Sequence, residues 1–122
     1  MSAFDRLHDI APQQIWPGLI GRSLQGDSAT LSAIELDPGI DVPEHSHVNE
    51  QIGILTGGSL TFRIGDESRD LRPGGAWIIL AHVPHSVTAG PNGAMLIEVF
   101  VPARDDWADR EVLEPRPPAG LR

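Results

Sequence analysis

The sequence contains no cysteine, no lysine and no tyrosine among its 122 residues. These absences exclude a disulfide framework, a thiolate metal ligand, a lysine Schiff base and a tyrosine acid. Positive charge is also scarce, since nine arginines face 17 Asp and Glu residues and the formal net charge is −8. Without a basic patch, this balance argues against binding to nucleic acid or to an acidic membrane surface. The chemistry of any site must therefore come from histidine, carboxylates, arginine, amides and hydroxyls.

Long hydrophobic runs are missing as well. A membrane-spanning helix needs about 20 consecutive apolar residues, and no stretch of the chain approaches that length. The first ten residues carry charges where a secretory signal has an apolar core. We therefore expect a cytoplasmic protein without a membrane partner. The length suits one domain over residues 1–122, with an N-terminal arm at 1–14, a barrel at 15–104 and a C-terminal tail at 105–122.

Glycine and proline, by contrast, are frequent, with 13 and 11 residues that separate short apolar runs. Several runs alternate with period two, so that Leu60, Phe62 and Ile64 are expected to share one face. Many short strands separated by glycine and proline turns predict an all-β sandwich or barrel, with Phe62 and Trp77 in its core. The predicted strands are 15–24, 29–36, 40–47, 50–56, 59–64, 76–80, 85–89 and 94–101. Segment 105–113 predicts a short helix, and the proline-rich segment 114–122 a mobile tail.

Four of the five histidines fall into two clusters. His45 and His47 share a face of a strand, Gln51 can return to that face, and a barrel can bring His85 beside them. Three imidazoles and an amide oxygen suit one divalent transition metal: Zn, Ni, Fe, Co or Mn. The alternative is that these histidines are polar side chains on a wet surface. We expect His82 at the mouth of the barrel.

A carboxylate interrupts the last apolar strand of the predicted barrel. Glu98 shares a face with Phe100, and an isolated carboxylate costs free energy when it is buried. Glu98 is therefore expected at the barrel mouth or in a chemical task, the alternative being a solvated edge residue. Arg104 follows the strand and offers a two-pronged donor for a carboxylate. Its alternative is a surface ion pair with Asp105, Asp106 or Glu98.

Two stretches resemble a known family. Residues 39–58 resemble the first cupin motif, and residues 72–85 resemble the second. The resemblance implies an antiparallel jelly-roll barrel, the double-stranded β-helix, that holds one metal ion. The ligands that it implies are His45, His47, Gln51 and His85. Gln51 stands where many cupins carry Glu.

The end of the barrel is similar to the KdgF-like pectin-degradation proteins, small cupins with three histidines and one glutamine. In that family an acid, a Phe and then an Arg follow the metal site, and the activity is the ketonisation of unsaturated uronates. The resemblance implies that Glu98 is a general acid/base and that Phe100 and Arg104 bind substrate, Arg104 by orienting its carboxylate. Glu98 stands where the family usually has Asp.

Other functions remain open at this point. A cupin dioxygenase would use iron, a polyketide cyclase would need a large apolar pocket, and a non-catalytic module would bind a metal or ligand without turnover. In the enzyme readings the partner is a small molecule, and an anionic one suits Arg104. The resemblance also implies a homodimer, in which the arm at 1–14 could add a strand to the neighbour's sheet.

Overall fold

The computed structural model describes residues 2–119 as a nearly all-β chain. The strands are β1 Gln13–Trp16, β2 Leu19–Gln25, β3 Thr30–Leu36, β4 Asp41–His45, β5 Glu50–Ile64, β6 Glu67–Leu71, β7 Ala76–Ile79, β8 His85–Val101 and β9 Glu111–Val112. Short 3₁₀ turns lie at Leu7–Asp9 and Asp105–Trp107. Within residues 2–119 there is no α-helix, and thus no helix long and apolar enough to cross a membrane. The all-β prediction is confirmed.

The two longest strands, β5 and β8, hold the barrel together. The first part of β5 pairs with β7 and with the last part of β8. Its second part pairs with β6 and with the first part of β8, which also pairs with β4. The sheet continues from β8 through β3, β2 and β1 to β9, and every pairing is antiparallel. This connectivity brings β4, β5 and β8 together at one end of the barrel.

Four predicted strands merge in pairs, 50–56 with 59–64 into β5 and 85–89 with 94–101 into β8. Gly58 explains the difference. Its φ is +70°, and a Cβ there would lie 2.1 Å from the carbonyl oxygen of Gly93. The pairing register of β5 with β8 shifts on both sides of Gly58. The glycines therefore mark bulges within long strands, where the sequence predicted turns between short ones.

The interior follows the predicted alternation. Leu60 and Phe62 are buried while Thr61 and Arg63 are exposed, which confirms the period-two reading of this segment. The Phe62 ring packs against Trp77 with 5.0 Å between centroids. The buried cluster comprises Ile34, Leu36, Leu55, Leu60, Phe62, Trp77, Ile79, Ala89, Ala94, Leu96, Phe100 and Trp107. The placement of Phe62 and Trp77 in the core is thus confirmed.

The helix predicted over 105–113 is wrong. Only one 3₁₀ turn forms, and β9 then pairs with β1 through Gln13 and Val112. The side-chain amide of Gln13 also donates to the carbonyl of Trp107 (3.1 Å). Strand β1 therefore bonds to backbone groups that a continuing helix would have used, and tertiary pairing overrides the local helical pattern.

Residues near both ends of the described part of the chain contact the barrel. Arg22 donates to the carbonyl of Arg116 (2.8 Å) and Pro118 is buried, so the segment that composition predicts to be a mobile tail contacts the barrel at these two residues. Its mobility stays a prediction. The rest of that prediction, residues 120–122, lies outside the described part of the chain. Gln13 and Gln14 of the arm pair on both sides with β2 and β9 of their own chain. This part of the arm is not available to a neighbour's sheet.

Candidate metal centre and adjoining cavity

Three histidines converge at one end of the barrel. His45 ends β4 and lies directly opposite His85, which begins β8. The His85 ring centroid is 4.3 Å from that of His45 and 4.8 Å from that of His47. Each of the three residues offers a nitrogen within 4.8 Å of the other two. The structure thus brings together the histidines that the sequence grouped.

Backbone carbonyls orient all three rings in the same way. The Nδ1 atom contacts a carbonyl oxygen two residues away: that of Pro43 for His45 (2.8 Å), Asn49 for His47 (2.9 Å) and Val83 for His85 (2.9 Å). Because a carbonyl oxygen can only accept, each Nδ1 carries the proton and each Nε2 keeps its lone pair. Metal-binding imidazoles are commonly oriented by a hydrogen bond of this kind.

Gln51 gives an independent test of whether a metal fits. Its Nε2 donates to the Glu98 carboxylate, which turns its Oε1 toward His47 Nε2 at 3.0 Å. Both facing atoms are then acceptors, a contact that is unfavourable unless a cation lies between them. The Nε2 of His85 is buried without a hydrogen-bond partner among the described residues. The three-histidine cluster, with Gln51 beside it, therefore could hold a divalent transition-metal ion.

Burial favours the neutral form of His47 and His85. It lowers the pKa of His85 to about 4 and also lowers the pKa of His47, with the charge of Arg104 adding to both shifts. A neutral ring is the form that binds a metal, since a protonated Nε2 has no lone pair to offer. His47 and His85 are therefore ready to bind a cation at neutral pH without first losing protons.

Glu98 lies beside the histidines on the inner face of β8. It is 4 % exposed and accepts hydrogen bonds from Gln51 Nε2 and from Trp77 Nε1 (2.8 Å), both at Oε2. Burial raises the pKa of this carboxyl group, while the two hydrogen bonds and the charge of Arg104 oppose the rise. Glu98 is thus not a solvated edge residue, and it forms no ion pair with any residue of 2–119.

A cavity of about 410 Å³ joins the histidine cluster to Glu98, Phe100 and Arg104. Apolar side chains line most of its remaining wall: Ile15, Leu19, Ile34, Leu36, Val42, Phe62, Val87 and Leu96. Trp16, Trp107 and Arg110 also contribute to its lining. The cavity therefore has one polar end, built from β4, β5 and β8, and largely aliphatic walls.

Arg104 is held between aromatic rings and an acid. Its Cζ lies 4.4 Å from the ring centroid of Trp107 and 5.0 Å from that of Phe100. Its Nε and Nη2 donate to the two carboxylate oxygens of Asp106, at 3.0 and 2.9 Å. The ion pair that the sequence offered as the alternative to a cavity role is present, and Arg104 lines the cavity as well.

Sequence reasoning missed two residues that support this site. The buried Asn49 accepts from His47 through its carbonyl and donates from Nδ2 to the carbonyl of Pro102 (2.6 Å). Trp107 follows Arg104 by three residues and carries the ring on which its guanidinium stacks. The available signal for Asn49 was the position of its polar amide side chain between His47 and Gln51, two predicted metal ligands.

His82, which the sequence placed at the mouth of the barrel, is exposed. Among the described residues, those that line the cavity do not include it.

Comparison with known proteins places this geometry in a family. Residues 32–100 match the cupin domain family. The chain is 31% identical over 68 residues to the pectin degradation protein KdgF of Dickeya dadantii (strain 3937). That alignment covers 56% of this chain and 62% of the relative, which is less than two thirds of its length.

Solved structures of small cupins are similar over most of the chain. KdgF from Halomonas sp. superposes with a TM-score of 0.79 at 26% identity, over 87% of this chain and 98% of that one. An RmlC-like cupin from Shewanella frigidimarina NCIMB 400 gives 0.81 at 24% identity, over 88% and 97%. The match over residues 32–100, together with the jelly-roll barrel and its histidine cluster, shows that this chain belongs to the cupin domain family.

Proposed function

We propose that this cupin is a metal-dependent enzyme that ketonises or isomerises an unsaturated sugar acid, a uronate. The observation that carries the proposal is the buried Glu98 carboxylate, which shares the Gln51 amide with the histidine cluster. Two relatives that carry the name KdgF support it, one of them described as a pectin degradation protein. The proposal extends that description to a reaction and to residues of this chain.

Four residues would hold the ion: His45, His47, Gln51 and His85. When bound, a divalent ion supplies positive charge that polarises an oxygen of the substrate. Gln51 contributes a neutral amide oxygen, so no carboxylate in the ligand set offsets that charge. The Nδ1 hydrogen bonds to backbone carbonyls keep the three rings turned toward the same point.

Glu98 would move the proton. Ketonisation takes a proton from an enol hydroxyl and adds one to a carbon, so a single carboxyl group can serve both steps. Both protein hydrogen bonds of Glu98 end at Oε2, so Oε1 is the atom that would exchange protons with the substrate. Burial raises the pKa of this group, which brings it closer to the range useful for a general acid at neutral pH.

Arg104 and Phe100 would bind the substrate. The guanidinium supplies donors for the uronate carboxylate, and its charge is close enough to Glu98 to oppose the rise in pKa there. Phe100 forms cavity wall between that guanidinium and His47, whose ring centroid is 6.2 Å away. The carboxylate would thus lie within reach of the acid and of the metal ligands.

Elemental analysis and a turnover assay test this proposal together. We expect protein made without a polyhistidine tag to bind about one Zn, Ni, Mn or Co per chain, and His47→Ala to lose it. The loaded enzyme should then speed the loss of ultraviolet absorbance of unsaturated uronates released by a pectate lyase. Absence of stoichiometric metal under every loading condition would overturn the mechanism and leave a metal-free binding module.

The apolar walls of the cavity favour a second candidate function. Aliphatic side chains such as Ile34, Leu36 and Leu96 suit a hydrophobic substrate, as a dioxygenase or a polyketide cyclase would need. Iron as the bound metal, with oxygen uptake on addition of an apolar substrate, would support the dioxygenase. Ring closure of a polyketide without oxygen uptake would support the cyclase.

We also propose that two copies associate through an apolar row on the outside of the barrel, here called the outer face. The row crosses β7, β5, β8, β3 and β2, with one residue on each strand paired to the next. In that order the residues are Ile78, Ile52, Val99, Leu31 and Leu24. Four of the five are 41 to 63 % exposed, and none is charged. Because each copy carries a net charge of −8, two copies approach with least repulsion at an uncharged face.

A further inference from the structure

We propose that Asp106 is a positioning residue, which occupies the side edge of the Arg104 guanidinium and leaves the end of that group, formed by Nη1 and Nη2, for a carboxylate in the cavity. This inference rests on the proposed function, because it concerns how the same site receives an anionic substrate. Asp106 itself would not touch that substrate. It would decide which donors of Arg104 the substrate meets.

The hydrogen bonds between the two side chains assign the edges. Asp106 accepts from Nε (3.0 Å) and from Nη2 (2.9 Å), so it occupies the side edge of the guanidinium. A guanidinium has five N–H donors, and three of them remain. These belong to Nη1 and Nη2 and include the parallel pair at the end of the group, which matches the two oxygens of a carboxylate.

Aromatic rings fix the remaining freedom of the guanidinium. Its Cζ lies within 5.0 Å of the centroids of both Phe100 and Trp107, which are themselves buried. The Arg104 side chain is 11 % exposed. Stacking fixes the position of the group against the rings, and the paired bonds to Asp106 fix its rotation. An arginine held in this way loses little further conformational entropy when a carboxylate binds.

The backbone around the pair is also fixed. Arg104 N donates to the fully buried Thr30 Oγ1 (2.8 Å), and Trp107 N donates to the carbonyl of Arg104 (3.1 Å). Asp106 lies within that turn, and its hydrogen bonds to Arg104 lower its pKa. It therefore stays ionised and keeps both bonds across the pH range of an ordinary assay.

The neighbouring Asp105 provides a matched control. It belongs to the same 3₁₀ turn and carries the same charge, whereas the bidentate contact to Arg104 belongs to Asp106. In Asp106→Asn, an NH₂ group replaces one of the two acceptor oxygens, so the paired contact with one bond at each oxygen is lost. In Asp105→Asn, the same charge is lost while the contact to Arg104 remains.

The test is calorimetric titration of metal-loaded protein with galacturonate, a saturated uronate that cannot undergo the reaction. We expect Asp106→Asn to weaken galacturonate binding about tenfold, as for loss of a charged hydrogen bond, and Asp105→Asn to leave it within about twofold. In an Arg104→Met background, Asp106→Asn should have no further effect. Asp106→Glu, which keeps two acceptor oxygens, should restore part of the affinity, and thermal denaturation will verify that each variant is folded. Galactose, without the carboxylate, should show no dependence on residue 106.

Several outcomes would overturn the inference: equal effects of the two Asp→Asn variants, tighter binding in Asp106→Asn, or no binding of galacturonate by the unmodified protein.

Turnover measurements separate this inference from the proposed reaction. If unsaturated uronates are consumed and Asp106→Asn leaves KM unchanged, the reaction stands and the inference fails. If galacturonate binding depends on both Arg104 and Asp106 but no unsaturated uronate is consumed, the inference stands and the proposed reaction fails. If both stand, Asp106→Asn raises KM about tenfold and changes kcat little.

Discussion

The two faces of strand β8 reverse the usual distribution of charge. Its inner face places Glu98 between the buried Leu96 and Phe100, whereas its outer face carries Ile97, Val99 and Val101 without any charge. A buried carboxylate costs several kcal/mol unless it is hydrogen-bonded, and Glu98 has two donors. Hydrophobic packing alone therefore explains neither the buried charge of the inner face nor the exposed apolar residues of the outer face. The inner charge suits chemistry, and the outer apolar surface suits association.

Removing the inner charge should have the largest effect. We expect Glu98→Gln to lower kcat for uronate ketonisation by about 10² to 10⁴, the usual contribution of a general acid/base. The side-chain oxygen can still accept from Gln51 and Trp77, so the bound metal and the melting temperature should change little. Rates come from the loss of ultraviolet absorbance, and metal content from elemental analysis.

Glu50→Gln is the matched control, because Glu50 is a carboxylate on β5 that is separate from the cavity. Its activity should stay close to that of the unmodified enzyme. Full activity in Glu98→Gln would contradict the assignment of the proton-moving group.

Inner and outer apolar residues should also differ in their contribution to stability. Leu55 is fully buried, while its neighbour Ile54 is on the outside and 42 % exposed. We expect Leu55→Ala to lower the free energy of unfolding by about 3 kcal/mol, and Ile54→Ala by less than about 1 kcal/mol. Urea denaturation at a concentration that keeps the chain monomeric measures both. Similar losses would mean that the outer residue is buried in the monomer as well.

A charge on the outer face should separate two copies. We expect Ile78→Arg to raise the dimer dissociation constant at least about tenfold, because its partner copy would present no acid to the new guanidinium. Thr61→Arg places the same charge elsewhere on the exposed surface of β5 and should leave association unchanged. Light scattering after size exclusion measures the mass. A monomer at all concentrations before substitution would refute the role of this face.

A last comparison concerns proton binding by His85 in metal-free protein. Burial lowers the pKa of His85 to about 4, whereas an unfolded histidine titrates near 6.5. Between these values the unfolded chain binds a proton that the folded chain does not, so stability should fall as the pH is lowered from about 6.5 to about 4. Below about pH 4, the stability that the neutral His85 ring contributes to the folded state is fully lost.

Urea denaturation of chelator-treated protein across that range provides the measurement. His85→Gln should flatten the dependence of stability on pH, and His82→Gln, at an exposed histidine, should leave it unchanged. The same slope in His85→Gln would assign the effect to other groups.

The fold could be predicted from the sequence to the extent that local pattern determines it. Alternation placed Phe62 inside, and the density of glycine and proline indicated an all-β chain. Strand β6 was missed because its residues are mostly exposed, at a sheet edge that needs no apolar face. Bulges were read as turns because a positive φ suits glycine in both. What distinguishes them is the approach of a second strand, which no local window contains.

The same limit applies to the site. The spacing of His45 and His47 follows from strand geometry, and His85 joins them through the pairing of β4 with β8. The contacts of Trp107 and Asp106 with Arg104 depend on how the C-terminal segment returns to the barrel. That return is fixed by pairing with β1, so it could not be derived from residues 104–107. The division into arm, barrel and tail stays a prediction.

Asn49 links the two halves of the candidate site through one residue. Its backbone orients His47, and its side chain holds the loop that leads to Arg104. A substitution of Asn49 would disturb both the histidine cluster and the Arg104 end of the site. The sequences of the two loops are therefore constrained together. In a directed-evolution experiment that aims at a new substrate, Asn49 would be the position to leave fixed, while the aliphatic walls between the two ends are free to vary.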